Sequence, residues 1–301
     1  MDQQCASTGT CTNYGPTFWT TKWLTGVTTQ VRVNGSYQNV DSYALNHVFV
    51  NVQNSSENTQ VPWLASVQRT GQDTQASATA ITLPPVTFTA MLLPNRVDGT
   101  NLVPSRPAFN RPRIQLITTE TGSTIGIDYR PADCSRVENR MPGSADSDTR
   151  SCFNVKWHPP TEQPNAQPID DWFLRYPVNT VTANPNTPGA VPVVTQYSYG
   201  NAAWHRNDSP LTQDMDRTWD QFRGYASVTA VTGSGNDGAK SQKSTTYYQG
   251  MDGDRLSSGA TRSSVVAGPM SGQVTDSDWL SGQALEADTY TQAAVPSSPT
   301  R

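Results

Sequence analysis

Long apolar runs are missing from these 301 residues: nothing approaches the roughly 20 consecutive apolar positions that cross a bilayer. Met1-Asp2-Gln3-Gln4 opens without the charged and apolar regions of a signal peptide, so an export address, if the protein is secreted, is expected upstream of Met1. An excess of one charge is missing too. The formal net charge is −4, with Arg and Asp scattered singly, and no basic stripe exists to neutralise a phosphate backbone, which excludes nucleic acid as an expected partner. The three histidines, His47, His158 and His205, lie far apart, and no Ser sits in a Gly-x-Ser-x-Gly elbow that one of them could activate. No Cys/His spacing of a zinc site occurs, so neither metal nor cofactor is expected.

Cysteine is scarce: Cys5, Cys11, Cys134 and Cys152, with no CxxC pair. Closing the polar stretch between Cys134 and Cys152 would restrict the unfolded chain by about 3 kcal/mol and would imply an oxidising compartment. Two buried free thiols are the equal alternative on sequence alone.

What is abundant is punctuation. With 22 Pro and 21 Gly the chain is cut into pieces too short for ordinary helices. Several pieces alternate as half-buried strands do: Val48, Val50 and Val52 on one face, Ile125 and Ile127 on another, Tyr197 and Tyr199 on a third. Thr, Val, Tyr and Trp dominate them and fit a pleated surface. Eight Trp, eleven Tyr and seven Phe supply the burial for a packed core. The expectation is an all-β fold of short antiparallel strands and hairpins, a β-sandwich-like or shell-type sheet with little helix. The single helix candidate runs from Leu280 to Tyr290.

The Pro-containing stretch His158-Pro159-Pro160-Thr161-Glu162-Gln163-Pro164-Asn165 reads as a linker between an N-terminal β region, residues 1–165, and a second region, residues 166–301, of hairpins rich in Tyr and Gly. Within the second, Gln196-Tyr197-Ser198-Tyr199-Gly200 and Thr246-Tyr247-Tyr248-Gln249-Gly250 are alike: each is an aromatic β-prone run ended by Gly, about 50 residues from the other.

The run Thr218-Trp219-Asp220-Gln221-Phe222-Arg223-Gly224-Tyr225-Ala226-Ser227-Val228, followed by Tyr247-Tyr248-Gln249-Gly250-Met251-Asp252-Gly253-Asp254-Arg255-Leu256, resembles the RHS/YD-repeat proteins of actinobacteria. In that family Arg usually stands where this chain has Gln249. Leu93 to Asp98, Arg113 to Gly122, Cys152 to Trp157 and Asp171 to Tyr176 agree with it, so the likeness runs from about Thr17 to about Tyr290. The motif pair is also similar to the shell-forming B component of insecticidal toxin complexes and to teneurin YD shells. The resemblance implies a β-rich stretch at or before the start of a hollow secreted shell, in which many relatives enclose a toxin domain. Its partners would be the remainder of the parent shell, and an enclosed toxin or a cell-surface glycan. The long YD array, the Asp-Pro-x-Gly core signature and a toxin tip are not found in this sequence.

The residues singled out read as structural. In Phe222-Arg223-Gly224-Tyr225 the rings sit on sheet faces, Gly224 permits a bend, and Arg223 reaches a carboxylate across strands; Trp219, Phe222 and Tyr225 are expected to anchor the core. Asp252-Gly253-Asp254 opens like an EF-hand loop, but twelve positions on stand Ser263 or Val265 in place of the closing Glu, and a type I′ or II′ hairpin turn is the better account. Glu120, Asp128, Asp170 and Asp171 are the carboxylates a glycosidase reading would need, yet adjacent Asp170 and Asp171 point to opposite faces of a strand. A non-catalytic structural segment is therefore the leading expectation; a surface-binding module is the second, and a β-fold glycosidase the third.

Overall fold

The computed structural model describes residues 8, 22–52, 60–73, 79–99, 106, 108–157, 167–236, 238–290 and 292–293. Cys5, Cys11 and the whole linker from His158 to Asn165 lie outside the described residues. The strands in chain order are β1 (Gly26–Val33), β2 (Ser36–Asn51), β3 (Gln60–Gly71), β4 (Ile81–Thr82), β5 (Val86–Pro94), β6 (Asn110–Thr118), β7 (Thr124–Tyr129), β8 (Cys152–Trp157) and β9 (Ile169–Leu174). They continue as β10 (Val178–Asn184), β11 (Val193–Tyr199), β12 (Ala202–His205), β13 (Gln221–Tyr225), β14 (Ser227–Thr232), β15 (Ser241–Tyr247), β16 (Val265–Gly268), β17 (Gly272–Thr275) and β18 (Ala284–Tyr290). Helical structure among the described residues is confined to three one-turn 3-10 segments, so the fold is all-β and antiparallel.

One 12-stranded sheet carries the molecule, in the order β1-β2-β3-β5-β6-β7-β10-β11-β14-β15-β18, with β4 paired to β3. Three two-stranded hairpins, β8–β9, β12–β13 and β16–β17, leave that sheet between its successive strands. The chain thus alternates: a hairpin outside the sheet, then two strands within it. Strands β8 to β11 form a first unit and β12 to β15 a second, with corresponding strands starting 48 to 52 residues apart, and β16 to β18 continue the pattern. The hydrogen bonds recur with the strands. The residue after β9, Arg175, donates its N–H to the residue before β8, Ser151, at 2.7 Å; likewise Ala226 after β13 donates to Asn201 before β12 at 2.8 Å. The Tyr-rich runs around Tyr199 and Tyr247 close β11 and β15, the same place in the two units.

One expectation needs correction. The helix candidate is a strand: Gly282, at φ 82°, turns the chain after the one-turn segment Asp278–Leu280, and β18 then pairs with β15 from Gln242↔Tyr290 to Tyr247↔Ala284. The ladder with β15 pairs the backbone of this segment, whose apolar positions make too narrow a stripe to bury a helix. The boundary at residues 165 and 166 does not separate two sheets. Strands β8 and β9 on either side of it pair from Cys152↔Leu174 to Trp157↔Ile169, and β7 pairs with β10, because closing a hairpin over a polar loop costs little more entropy as the loop lengthens. In β2 the register with β3 runs unbroken from His47↔Leu64 to Asn51↔Gln60, so Val48 and Val50 share a face, while Val52 follows the strand and is buried.

The core is small. Val97, Cys134, Cys152 of β8 and Leu174 of β9 form its centre, with Trp172 and Tyr176 packed against it. At the other extreme, all of β1 and the first five residues of β2 are exposed, so alternate side chains face solvent on both sides of that ribbon.

Candidate functional site

The features that distinguish this chain gather where the outer hairpins meet the large sheet. A run of rings crosses that junction: Phe109, Phe173, Phe153, Trp204, Phe222, Tyr225 and Tyr199, with consecutive centroids 4.6 to 6.1 Å apart. Phe153 of the first unit stacks on Trp204 of the second at 4.9 Å. Guanidiniums lie over these rings, Arg175 at 3.8 Å from the Phe222 centroid and Arg111 at 3.7 Å from that of Phe109. The centre of the run is Trp204, 2% exposed, whose indole N–H donates to the Arg150 carbonyl at 2.9 Å. Sequence reasoning placed the core at Trp219, Phe222 and Tyr225. All three are half-buried, and the buried ring of this run is Trp204, which follows the small residues Ala202 and Ala203. That Ala-Ala-Trp spacing was the available signal, since small residues let β12 approach its neighbours closely.

The other predicted residues are placed as follows. Trp219 donates its indole N–H to the Arg255 carbonyl. Gly224 has φ 86°, a left-handed bend within β13, and Arg223 pairs with Asp278 at 2.6 Å. Tyr197 lies in β11 opposite Ala230, and Tyr199 donates to the Val178 carbonyl at 2.7 Å. The disulfide Cys134–Cys152 is formed, closing the loop of the 3-10 segment Ala145–Ser147.

Buried carboxylates brace the loops. Asp254, 1% exposed, accepts from the Arg206 N–H at 3.1 Å, and its carboxylate lies 3.5 Å from His205 Nε2 and 3.6 Å from Arg262 Nε. Asp276, 3% exposed, accepts the backbone N–H groups of Gln249, Gly250 and Met251 at 2.8 to 3.0 Å. Asp252 accepts from the Ser264 N–H. Met251 to Asp254 close a turn in which only Gly253 has positive φ, 89°, so the turn carries the signature of type II, in place of the expected I′ or II′. The reason is that this segment does not join two paired strands: Asp252 bridges to Ser277 in parallel. These carboxylates neutralise backbone donors, which is a structural task.

The carboxylates of the glycosidase reading do not converge. Asp171 is buried on Arg96 at 2.8 Å, whereas Asp170 is exposed and takes a hydrogen bond from Asn154, as expected of neighbours on opposite faces. Glu120 lies in the turn after β6, and Asp128 is exposed on β7. His205 directs Nδ1 to the Arg206 carbonyl and Nε2 to Asp254, and His47 packs edge-on against Trp23. Among the described residues no group of three or more His, Cys, Asp or Glu side chains is placed to hold a metal.

Two clefts open at the junction. The larger, about 440 Å³, is walled by Val97, Leu174 and Cys134 with Arg96 and Asp98 at its polar side. The smaller, about 310 Å³, is lined almost wholly by polar groups, among them Arg130, Asp133, Arg150 and Tyr225. Comparison with protein-family models, with curated proteins and with solved structures finds no match.

Proposed function

We propose that these residues form a non-catalytic structural segment of a larger secreted RHS/YD-repeat protein, the stretch from which its β shell extends. The observation that carries this reading is the recurring unit in an open sheet. Each unit of about 50 residues adds two strands to one sheet and lays a hairpin beside it, and among the described residues β1 and β18 each have a single neighbour. Such a sheet grows by addition, as stacked repeats do, and its end strands present unpaired N–H and C=O groups to the next segment. The exposed apolar side chains of the β1–β2 ribbon, Val27, Val31, Tyr37 and Phe49 among them, favour the same reading, since a ribbon bare on both faces lacks the cover it needs alone. The Cys134–Cys152 disulfide is in keeping with export. The partner is the remainder of the parent shell, and the shell's role is to enclose a cargo such as a toxin domain.

The test compares the 301-residue chain with a longer one carrying the downstream shell segment, by light scattering and thermal melting. The longer chain should self-associate less and melt higher, because pairing satisfies the edge and buries apolar surface. A monodisperse 301-residue chain that melts at the same temperature as the longer one would overturn the reading.

A further inference from the structure

The smaller cleft has a chemistry that the repeat does not require. Arg130 follows β7 directly and is held by its own N–H on the Pro177 carbonyl at 2.9 Å. Its guanidinium lies 5.3 Å from the Tyr199 ring centroid and makes one long hydrogen bond, to the Tyr197 carbonyl at 3.5 Å. Gln249, which follows the Tyr pair closing β15, has a different fate: its side-chain amide donates to the carbonyls of Asn201 and Gly224 at 3.1 and 2.9 Å and so ties its loop down. Arg130 leaves most of its donor fork facing the cleft instead.

The facing wall is fixed by the disulfide. Asp133 and Ser151 sit beside the bonded Cys134 and Cys152, and the Ser151 N–H donates to Asp133 Oδ2 at 2.8 Å. Arg150 reaches Asp133 Oδ1 at 3.3 Å, and the Tyr225 and Ser151 hydroxyls share a hydrogen bond at 3.0 Å. Burial raises the phenol pKa values of Tyr199 and Tyr225, so both stay neutral at physiological pH and keep their hydrogen-bonding hydroxyls. The cleft therefore holds two guanidiniums against one carboxylate, several hydroxyls and an aromatic face, in about 310 Å³, at the small end of ligand sites.

We infer that this cleft binds a carboxylated sugar, a uronic acid residue at the end or side of a glycan. The guanidinium fork of Arg130 matches a carboxylate in two hydrogen bonds, Asp133 accepts from ring hydroxyls, and Ser151 and Asn201 supply the remaining polar contacts. A neutral sugar would leave the excess positive charge uncompensated. A peptide is too long for the volume.

The experiment is calorimetric titration of the intact chain with methyl glucuronoside, methyl glucoside and inorganic phosphate, repeated on Arg130→Met and Arg130→Lys. The glucuronoside should bind at least about tenfold more tightly than the glucoside, the loss of a charge-assisted pair. Arg130→Met should abolish that preference with the melting temperature unchanged, and Arg130→Lys should keep part of it. Reducing the disulfide should weaken binding by releasing the Asp133 wall. Equal binding of the two sugars by the wild-type chain, phosphate binding as tight as the glucuronoside, or full affinity in Arg130→Met would each overturn the assignment. Absence of binding at about 10 mM sugar would do so too. None of these outcomes depends on the shell reading.

Discussion

Asp148 lies 6% exposed between the disulfide and the junction, accepting the Arg150 N–H on Oδ1 at 2.7 Å, with Oδ2 3.7 Å from the Sγ of Cys152. Burial raises its pKa from 3.8 to about 7; the charge of Asp133 adds to the rise, and the Arg150 N–H and guanidinium oppose it. The folded chain thus holds this proton at pH values where the unfolded chain has lost it. Stability from this group is complete below the unfolded pKa and declines by about 1.4 kcal/mol per pH unit between pH 3.8 and about 7, to a ceiling of about 4 kcal/mol. Solvent relaxation around the loop lowers the effective penalty, and we expect about 1 to 3 kcal/mol to be measured. Asp148→Asn keeps the acceptor for the Arg150 N–H and removes the charge. It should therefore match the wild type near pH 4 and exceed it by that amount at pH 8, read from urea midpoints at pH 4, 6 and 8. Asp146 runs the other way: although burial works against it, hydrogen bonds from Ser144 and Ser257 hold it at about 2, so stability from Asp146 is lost as pH falls toward that value. That trend is common to both proteins and cancels in the difference. A gap between the two proteins that does not change with pH, or an Asn variant less stable at pH 8, would refute the reasoning.

Trp204→Ala should cost about 3 to 5 kcal/mol, since it empties the centre of the ring run and leaves the Arg150 carbonyl without its donor; Phe222→Ala, at a half-buried position, should cost less, and denaturant unfolding of the pair checks the order. Asp276→Ala should cost about 2 to 5 kcal/mol by stranding the N–H groups of Gln249, Gly250 and Met251, and hydrogen exchange at these three amides should accelerate with it; unchanged exchange would show that the loop is held by other contacts.

The period-two alternation of Ile125 and Ile127 or of Tyr197 and Tyr199 is a local property, and the strands it marks, β7 and β11, are where that reading puts them. The density of Pro and Gly likewise reports on a few residues at a time. The helix candidate failed because Ala and Glu between Leu280 and Tyr290 describe propensity alone, and a waiting edge at β15 decided the outcome. Register was invisible for a related reason: the pairing of β7 with β10 skips the whole β8–β9 hairpin, and nothing in either strand names the other. The likeness of the two Tyr-Gly runs was legible as a spacing of about 50, but its meaning, the same strand in two units, needed the sheet order. Of the junction, the Phe-Arg-Gly-Tyr motif could be read, while Trp204 is marked only by the two small residues Ala202 and Ala203 before it, a faint signal among eight Trp. Asp276 was missed too, since a carboxylate that accepts three backbone N–H groups looks like any Asp near a turn.

The contacts that couple one unit to the next are unevenly demanding of sequence, and this bears on how such a sheet extends. Ala202 of the second unit donates its N–H to the Thr149 carbonyl ahead of the first at 2.9 Å, and Gln249 after β15 reaches the Asn201 carbonyl; most side chains leave such carbonyls available. The ring stack of Phe153 on Trp204 does specify side chains, but aromatic substitutions preserve its area. Coupling therefore rests on backbone acceptors, on generic apolar area that tolerates drift and, at Gln249, on one side-chain donor. What it does not tolerate is an uncovered end. In the interior units Trp172, Trp204 and Phe222 are packed between neighbours, whereas the last unit leaves Val265 at 58%, Met270 at 64% and Trp279 at 77% exposed, and the first strands leave Tyr37 at 68%. Among the described residues large apolar exposure falls mostly at the two ends of the sheet order, apart from positions such as Val137 and Leu211, and a nearest-neighbour array concentrates exposure at its end units.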